Sequence, residues 1–489
     1  MPSPGNLKGA VARTLKWNVI DRVSTQLLYA VTGVVLANML TDEDFGLVGA
    51  IMVFQAFAQL FVDSGFASAL LQRKAPSRLD YSTVLWFNIA MACGIYMILW
   101  FAAPLIASLF QNDLRIITMS RVMFIAFIIN AASIVQANLL MKRMDVKMMA
   151  VSNSAGLFAG AIVGIWLAVA GYGAWAIVWQ TITLACVKTA LLWVSTTWRP
   201  LWQFSFKALR SFFSVGCGVL VTSLLNTVFQ NIYSFLIGNR ASLAALGYFT
   251  QADKWSKMGV MSLSQVLTSS FLPLLSQVQD DHERYRRICA KTHRFTAYLT
   301  IPALSLLAVM APAIFHTLFG TKWDISIPLF RILCVRGIFT VLSLLYSNYI
   351  LSLGRSRLLV VSEVVRDGAA IIAIILTLGQ LSRGIEGLEI FIWGQFAASA
   401  LTWIASLAMS SWVARRSIPA FVGDLIPYLA LTVIGLIPCL WLAGSALHPL
   451  AQCVSMALAF AAIYLGGNAI MGSRIQADVL GYLLRRPKD

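Results

Sequence analysis

Between Tyr81 and Leu109 the chain reads YSTVLWFNIAMACGIYMILWFAAPLIASL, with not one charged side chain. About 20 largely apolar residues suffice for a helix to cross a bilayer. Arg73, Lys74 and Arg78 bound the run on one side and Asp113 on the other. The same alternation of apolar run and short charged gap recurs in both directions, and it predicts fourteen spans. They are Trp17 to Leu40, Phe45 to Leu71, Tyr81 to Leu109, Ile116 to Met141, Met148 to Ala170, Tyr172 to Ser195 and Ser211 to Gly238. The remainder are Leu243 to Leu275, Thr292 to Phe319, Ile325 to Leu351, Leu358 to Leu378, Ile390 to Trp412, Phe421 to Ala443 and Pro449 to Met471. Helix is the reading because unpaired backbone groups are prohibitive in lipid, and a β-barrel would instead show alternating segments of about ten residues.

Composition agrees. Of 489 residues 59% are hydrophobic and 12% charged, the latter about half the share of a soluble domain. The net charge of +17 does not point to nucleic acid, because it sits in gaps between apolar runs rather than in a hydrophilic patch. Of 37 Lys and Arg, 8 lie deep inside predicted spans and 4 (Arg115, Arg240, Lys322, Arg383) in alternate gaps, leaving 25 in the other set, where Arg294, two residues inside a span end, is counted with the cytoplasmic gap. The positive-inside rule then places both termini in the cytoplasm, with the acidic Asp42, Glu43 and Asp44 outside. The first span is too long for a signal-peptide core and is expected to be retained. The seven cysteines suggest no disulfide framework. No gap has room for a soluble catalytic domain.

A weak repeat at an offset near 200 residues aligns Asn138 through Lys147 to Ser152 on Asn348 through Arg357 to Ser362, and Gly46-Leu47 on Gly247-Tyr248. It predicts an all-α polytopic protein of two pseudo-symmetric six-helix bundles, related as parallel repeats, plus two C-terminal helices. The expected divisions are residues 1–197, an amphipathic cytoplasmic linker at 198–210, a second lobe at 211–412, and the last two spans with a cytoplasmic tail at 413–489. Gly160 and Gly164 form a GxxxG read as a close helix contact.

Ionisable groups at the centre of a span cost roughly 2.5–3.5 kcal/mol each, so they face a bundle interior or a wet cavity. The basic ones are Arg22, Arg121, Lys188, Lys254, Lys257, Arg331, Arg336 and Arg366; the acidic ones are Asp21, Asp63, Asp253, Glu363 and Asp367. The surplus is positive. A pump for cations would line its path with carboxylates, whereas phosphates favour Arg and Lys, so the sign predicts an anionic cargo. Arg121 and Arg331 lie near the outer interface and are expected to snorkel. In the eighth span Gln251, Asp253, Lys254 and Lys257 lie about 12–21 Å from the outer end. Lys254, Lys257 and Arg336 are therefore expected to meet cargo phosphate, with Arg22, Lys188 and Gln251 completing the substrate set.

Asp21, Arg22 and Asp63 reach similar depths on antiparallel spans. An Arg22–Asp63 pair closing an inner gate is the expectation; the alternative makes Asp63 or Asp21 a coupling site. Glu363 and Arg366 are expected to pair, leaving Asp367 as a further coupling candidate, and Asp253 joins this gate and coupling group. The four histidines lack metal-ligand spacing, and no catalytic triad or phosphate-cradling loop is present.

The stretch Gly247-Tyr248-Phe249-Thr250-Gln251-Ala252-Asp253-Lys254 resembles a segment of the Wzx-type polysaccharide exporters, including the colanic acid exporter group. Pro273-Leu274-Leu275-Ser276, Asp280 to Arg284, Pro302 and Leu318-Phe319-Gly320-Thr321-Lys322-Trp323 follow in that family's order, and Asp42 to Gly46 and Asp63-Ser64-Gly65-Phe66 also fit. The resemblance covers most of the chain but supplies no invariant catalytic residue. It implies membership of the multidrug, oligosaccharidyl-lipid and polysaccharide exporter superfamily. The implied function is flipping of an undecaprenyl-diphosphate-linked oligosaccharide from the cytoplasmic to the periplasmic leaflet, by alternating access around a cationic cavity. Similarity to lipid II flippases further implies a role for the last two spans in accommodating the polyprenyl tail. The expected protein is a monomer of the bacterial inner membrane, not an enzyme, without cofactor or metal, driven by H+ or Na+. The competing readings are a multidrug or cation antiporter and an integral-membrane O-antigen polymerase or glycosyltransferase.

Overall fold

The computed structural model describes residues 4–62, 70, 73 and 76–484, and among these every regular element is a helix. The chain divides into two compact units, Met1–Gly247 and Tyr248–Asp489. The first holds α1 (Pro4–Met39), α2 (Asp42–Val62), α3 (Arg78–Leu109), three short collinear pieces α4 (Arg115–Met123), α5 (Ile125–Ala131) and α6 (Ile134–Lys142), then α7 (Val146–Val169), α8 (Trp175–Ser195) and α9 (Phe206–Arg240). Helix α10 (Leu243–Ser276) carries the chain into the second unit. There follow α11 (His282–Phe319), a 3-10 turn (Gly320–Trp323), α12 (Ser326–Ser352), α13 (Ser356–Thr377), α14 (Ile385–Val413), α15 (Ile418–Ala443), α16 (Pro449–Ile470) and α17 (Arg474–Leu484).

Among the described residues nine helical segments are long and apolar enough to cross a membrane: α3, the α4–α6 run, α7, α8, α11, α12, α14, α15 and α16. The chain is thus an all-helical, multi-pass membrane protein. The five other expected spans fall on α1, α2, α9, α10 and α13, which are helical over their described parts. Three of those five carry most of the in-span charge: Asp21 and Arg22 on α1, Asp253, Lys254 and Lys257 on α10, Glu363, Arg366 and Asp367 on α13.

Polar residues at the gaps start the helices. Ser77 and Asp80 form a reciprocal capping box at α3, with Asp80 N donating to Ser77 Oγ at 3.1 Å and Ser77 N to Asp80 Oδ2 at 2.8 Å. Asp145, Ser205 and Asp281 cap α7, α9 and α11 in the same manner. The fourth expected span is broken rather than continuous. Near Ala131 both the Ser133 amide, at 2.9 Å, and its hydroxyl, at 2.8 Å, bond the Asn130 carbonyl, tightening the turn.

In the first unit α7 packs against both α1 and α8, and α9 against α2 and α3. The α7–α8 seam is built on Gly156, Gly160 and Gly164. A Cβ on Gly160 would lie 2.7 Å from the Gln180 carbonyl oxygen, and one on Gly156 would lie 2.9 Å from that of Leu184. The GxxxG reading holds and extends one turn further. Closer still is the approach of α2 and α10 at their starts. A Cβ on Gly46 would meet the Leu243 carbonyl oxygen at 1.8 Å, and one on Gly247 the Asp42 carbonyl oxygen at 2.0 Å. These are the two glycines that the repeat aligned, and each is the fifth residue of its helix.

Residues 196–205, which include the start of the expected linker, run without helix along α3, and α9 begins at Phe206. Trp86 stacks on Trp202 at 4.6 Å and donates to the Leu201 carbonyl at 2.8 Å, and Leu201 N bonds Ser82 Oγ at 2.9 Å. In the second unit α11 is central, packing on α12, α15 and α16, while α14 packs on α12 and α13. Inside this bundle the Tyr285 hydroxyl donates to the Tyr349 carbonyl at 2.9 Å, and the Tyr349 hydroxyl donates to the Cys289 carbonyl at 3.0 Å.

Two glycine substitutions separate packing from helix propensity. Gly94→Ala meets no atom within 4 Å and should stabilise by up to about 1 kcal/mol. Gly160→Ala drives a methyl against backbone and should destabilise by about 1–3 kcal/mol. Thermal unfolding midpoints of the purified protein in detergent check the opposite signs.

Candidate functional site

The charged residues of α10 occupy one stretch of helix, and the structure sorts them. Asp253 Oδ2 takes Lys257 Nζ at 2.6 Å, an i, i+4 pair. Lys257 is therefore neutralised within its own helix. Lys254 has no carboxylate partner among the described residues; its ammonium lies 5.5 Å from the centre of the Trp255 ring. Gln251 is buried and accepts from Trp255 Nε1 at 3.2 Å, leaving its Nε2 without a partner among the described residues. Lys254, Gln251 and Trp255 thus form a group holding one uncompensated cation and one unused amide donor.

On α12, Arg336 is half-buried. On α13, Arg366 binds both acids: Glu363 through Nη2 and Asp367 through Nε at 3.0 Å. Asp367 is not left over as expected. The guanidinium borders a cavity of about 190 Å3 between α12, α13 and α14, lined by hydroxyls that include Ser343, Ser347, Ser362, Thr402 and Ser406.

In the first unit Asn153 on α7 donates to Asp21 Oδ1 at 3.4 Å and to Thr25 Oγ1 at 3.2 Å. Asp21 is thereby engaged by an amide. Arg22 is exposed, and its expected partner Asp63 lies outside the described residues, as does the proposed gate pair. Lys188 sits at the α7–α8 seam, its Cβ facing Gly156, with no carboxylate partner among the described residues. Arg121 lies over the Trp100 ring at 4.6 Å and donates to the Trp100 carbonyl, and Arg331 donates to the Ala308 carbonyl at 3.2 Å. Both find local partners, as snorkelling residues do.

One cluster was not singled out in the sequence. Asp424, inside α15 and 9% exposed, is held by Arg416 at 2.6 Å and by Arg294 of α11 at 2.8 Å. The ring of buried His293 lies 3.6 Å from its second oxygen and bonds the Tyr346 hydroxyl at 2.9 Å. Asp424 was legible as an acid in the thirteenth span, but its partners come from segments 8 and about 130 residues away.

The fold defines an all-helical membrane protein with several spans, some of them charged. The lipid II flippase MurJ, in an inward closed conformation, matches 94% of this chain and 100% of that chain with a TM-score of 0.72 at 14% identity. An outward-facing multidrug resistance MATE transporter of the MOP superfamily matches 83% of this chain and 97% of that chain with a TM-score of 0.51 at 16% identity. More particularly, the chain belongs to the polysaccharide biosynthesis protein family, whose profile matches residues 35–328. Similar proteins include the teichuronic acid biosynthesis protein TuaB of Bacillus subtilis, 25% identical over 348 residues (70% of this chain, 71% of that one). The succinoglycan biosynthesis transport protein ExoT of Rhizobium meliloti is 24% identical over 415 residues (83% and 80%). The lipopolysaccharide biosynthesis protein WzxC of Escherichia coli is 23% identical over 325 residues (66% and 66%). The Wzx-type resemblance is borne out, and the protein is a transporter rather than an enzyme.

Removing the Asp424 carboxylate strands Arg416, which is 11% exposed. Asp424→Ala should cost about 3–5 kcal/mol, the range for breaking a buried pair. Arg294→Gln, at a side chain 46% exposed, should cost less than about 1 kcal/mol. Detergent unfolding curves of the two variants test that order.

Proposed function

We propose that this protein flips an undecaprenyl-diphosphate-linked oligosaccharide from the cytoplasmic to the periplasmic leaflet of a bacterial inner membrane, by ion-coupled alternating access, for surface polysaccharide biosynthesis. The observation that carries the reading is the ammonium of Lys254, set within a helix and without a carboxylate among the described residues. A pyrophosphate headgroup supplies the missing charge, and the adjacent Gln251 Nε2 supplies a donor to it. The names and functions of the relatives, in teichuronic acid, succinoglycan and lipopolysaccharide biosynthesis, support a glycan as the cargo. The fold of a lipid II flippase supports a lipid carrier. A cationic drug would gain nothing from Lys254.

Coupling to H+ or Na+ is assigned to the in-span carboxylates that have the weakest cationic compensation, with Asp21 foremost, since its described partner is the neutral Asn153. Both termini are placed in the cytoplasm on the distribution of Lys and Arg. The division into lobes at residues 197 and 211 is retained as part of the proposal, as is a monomeric state.

Deletion should remove surface glycan and accumulate lipid-linked precursor in the inner leaflet; unchanged glycan with no precursor overturns the reading. Loss of one charged hydrogen bond is worth about 1.5–3 kcal/mol, so Lys254→Gln should lower export roughly ten- to hundred-fold at unchanged membrane abundance. Lys254→Arg should retain most of it, and Lys257→Gln should cost less than Lys254→Gln. Pulse-labelled glycan at the cell surface, normalised to immunoblotted protein, gives the comparison.

A further inference from the structure

A second concentration of cations lies away from α10, where α11, α15, α16 and α17 meet. Here a cavity of about 800 Å3 is lined by Arg287, Lys291, Arg294 and Arg474 against two acids, Asp424 and Asp478. Both acids are already engaged: Asp478 by Lys291 at 2.6 Å, and Asp424 by Arg294 and by Arg416 behind it. Arg287 and Arg474 have no carboxylate partner among the described residues. The wall therefore carries two surplus positive charges facing a space large enough for a headgroup.

The depth of the cavity selects what fills it. Arg287 lies five residues before the span that begins at Thr292, Asp424 three residues inside the one that begins at Phe421, and Arg474, the first residue of α17, three residues past the one that ends at Met471. At 1.5 Å per residue this is within about 10 Å of the span ends, the level of lipid phosphates. From this level an apolar stripe descends the outer face of α15. Val422, Ile426, Leu429 and Val433 recur at helical spacing and are 37%, 59%, 53% and 54% exposed. Cations at the level of the phosphates and an outward apolar stripe below them match the two ends of a lipid. Basic pockets between helices on the cytoplasmic side are a recurring mode of anionic headgroup binding.

We propose that this cavity holds the phosphate headgroup of an anionic phospholipid of the surrounding bilayer, with Arg287 and Arg474 as its principal contacts and the acyl chains along the α15 stripe. The site is separate from the Lys254 group and stands whether or not the cargo assignment does. The phosphate chemistry is shared by three sources: a bilayer phospholipid, the lipid-linked cargo, and free phosphate.

Native mass spectrometry of the delipidated full-length protein, titrated with phosphatidylglycerol, separates them. Wild type should retain phosphatidylglycerol over phosphatidylcholine. Retention should fall about five-fold for each guanidinium lost, so about 25-fold in Arg287→Gln/Arg474→Gln, and should persist in Arg287→Lys/Arg474→Lys, which keeps the charge. A glutamine variant that elutes and unfolds like wild type yet retains the lipid equally overturns the proposal, as does a lysine variant that folds but retains none. Displacement by millimolar inorganic phosphate reassigns the cavity to a soluble anion. Displacement by a polyprenyl diphosphate at equimolar phosphatidylglycerol reassigns it to the cargo. Either reassignment overturns the phospholipid proposal.

Discussion

A charge placed inside a membrane-spanning helix has to be met by another charge, by a polar group or by something that is not the protein, because water is absent there to screen it. Most of the in-span charges are met internally. Lys257 is met by Asp253, Arg366 by Glu363 and Asp367, and Arg416 and Arg294 by Asp424. Arg121 and Arg331 use backbone carbonyls. What remains without an opposite charge among the described residues is Lys254, Lys188 and Arg22 against Asp21, a positive balance. The sign of that remainder matters more than the total charge, since most of the +17 belongs to gaps and reports orientation.

The spans were legible because lipid imposes one solution on the backbone, and a run such as Tyr81 to Leu109 has no alternative reading. Polar spans were harder. Helices α10 and α13 were identified because their charges are few and flanked by apolar residues. The interruption of the fourth span at Asn130 and Ser133 was not legible, since Ser and Asn are tolerated in helices and only the competition for one carbonyl decides the matter. Nor was the course of residues 196–205. Alternating Trp and basic residues suit an amphipathic helix on a membrane surface equally well; hydrogen bonds to Ser82, Thr83 and Trp86, more than 100 residues away, hold the chain extended instead.

For the candidate site, depth and sign were readable, but pairing was not. Spacing placed Lys254 and Lys257 on a shared face, and only side-chain geometry shows that Asp253 reaches Lys257 and passes Lys254 by. Glu363 and Arg366 paired as their i, i+3 spacing suggests, yet the same guanidinium also takes the neighbouring Asp367. Asp424 escaped notice for a different reason. Its compensating cations are Arg294, grouped with cytoplasmic residues near a helix end, and Arg416, counted in a gap, so nothing in its own span marked it as an organising residue.

The glycines show where the structure is rigid and where it can part. Along α7, Gly156, Gly160 and Gly164 face α8 over two successive turns, and Gln180, Leu184 and Lys188 pack into the spaces they leave. Separating that seam would expose contacts along its whole length, and dispersion sums over many atoms. At Gly46 and Gly247 the contact is of another kind. Backbone meets backbone at one level, each helix presenting its fifth residue to a carbonyl of the other. A side chain at either glycine would prevent the approach altogether.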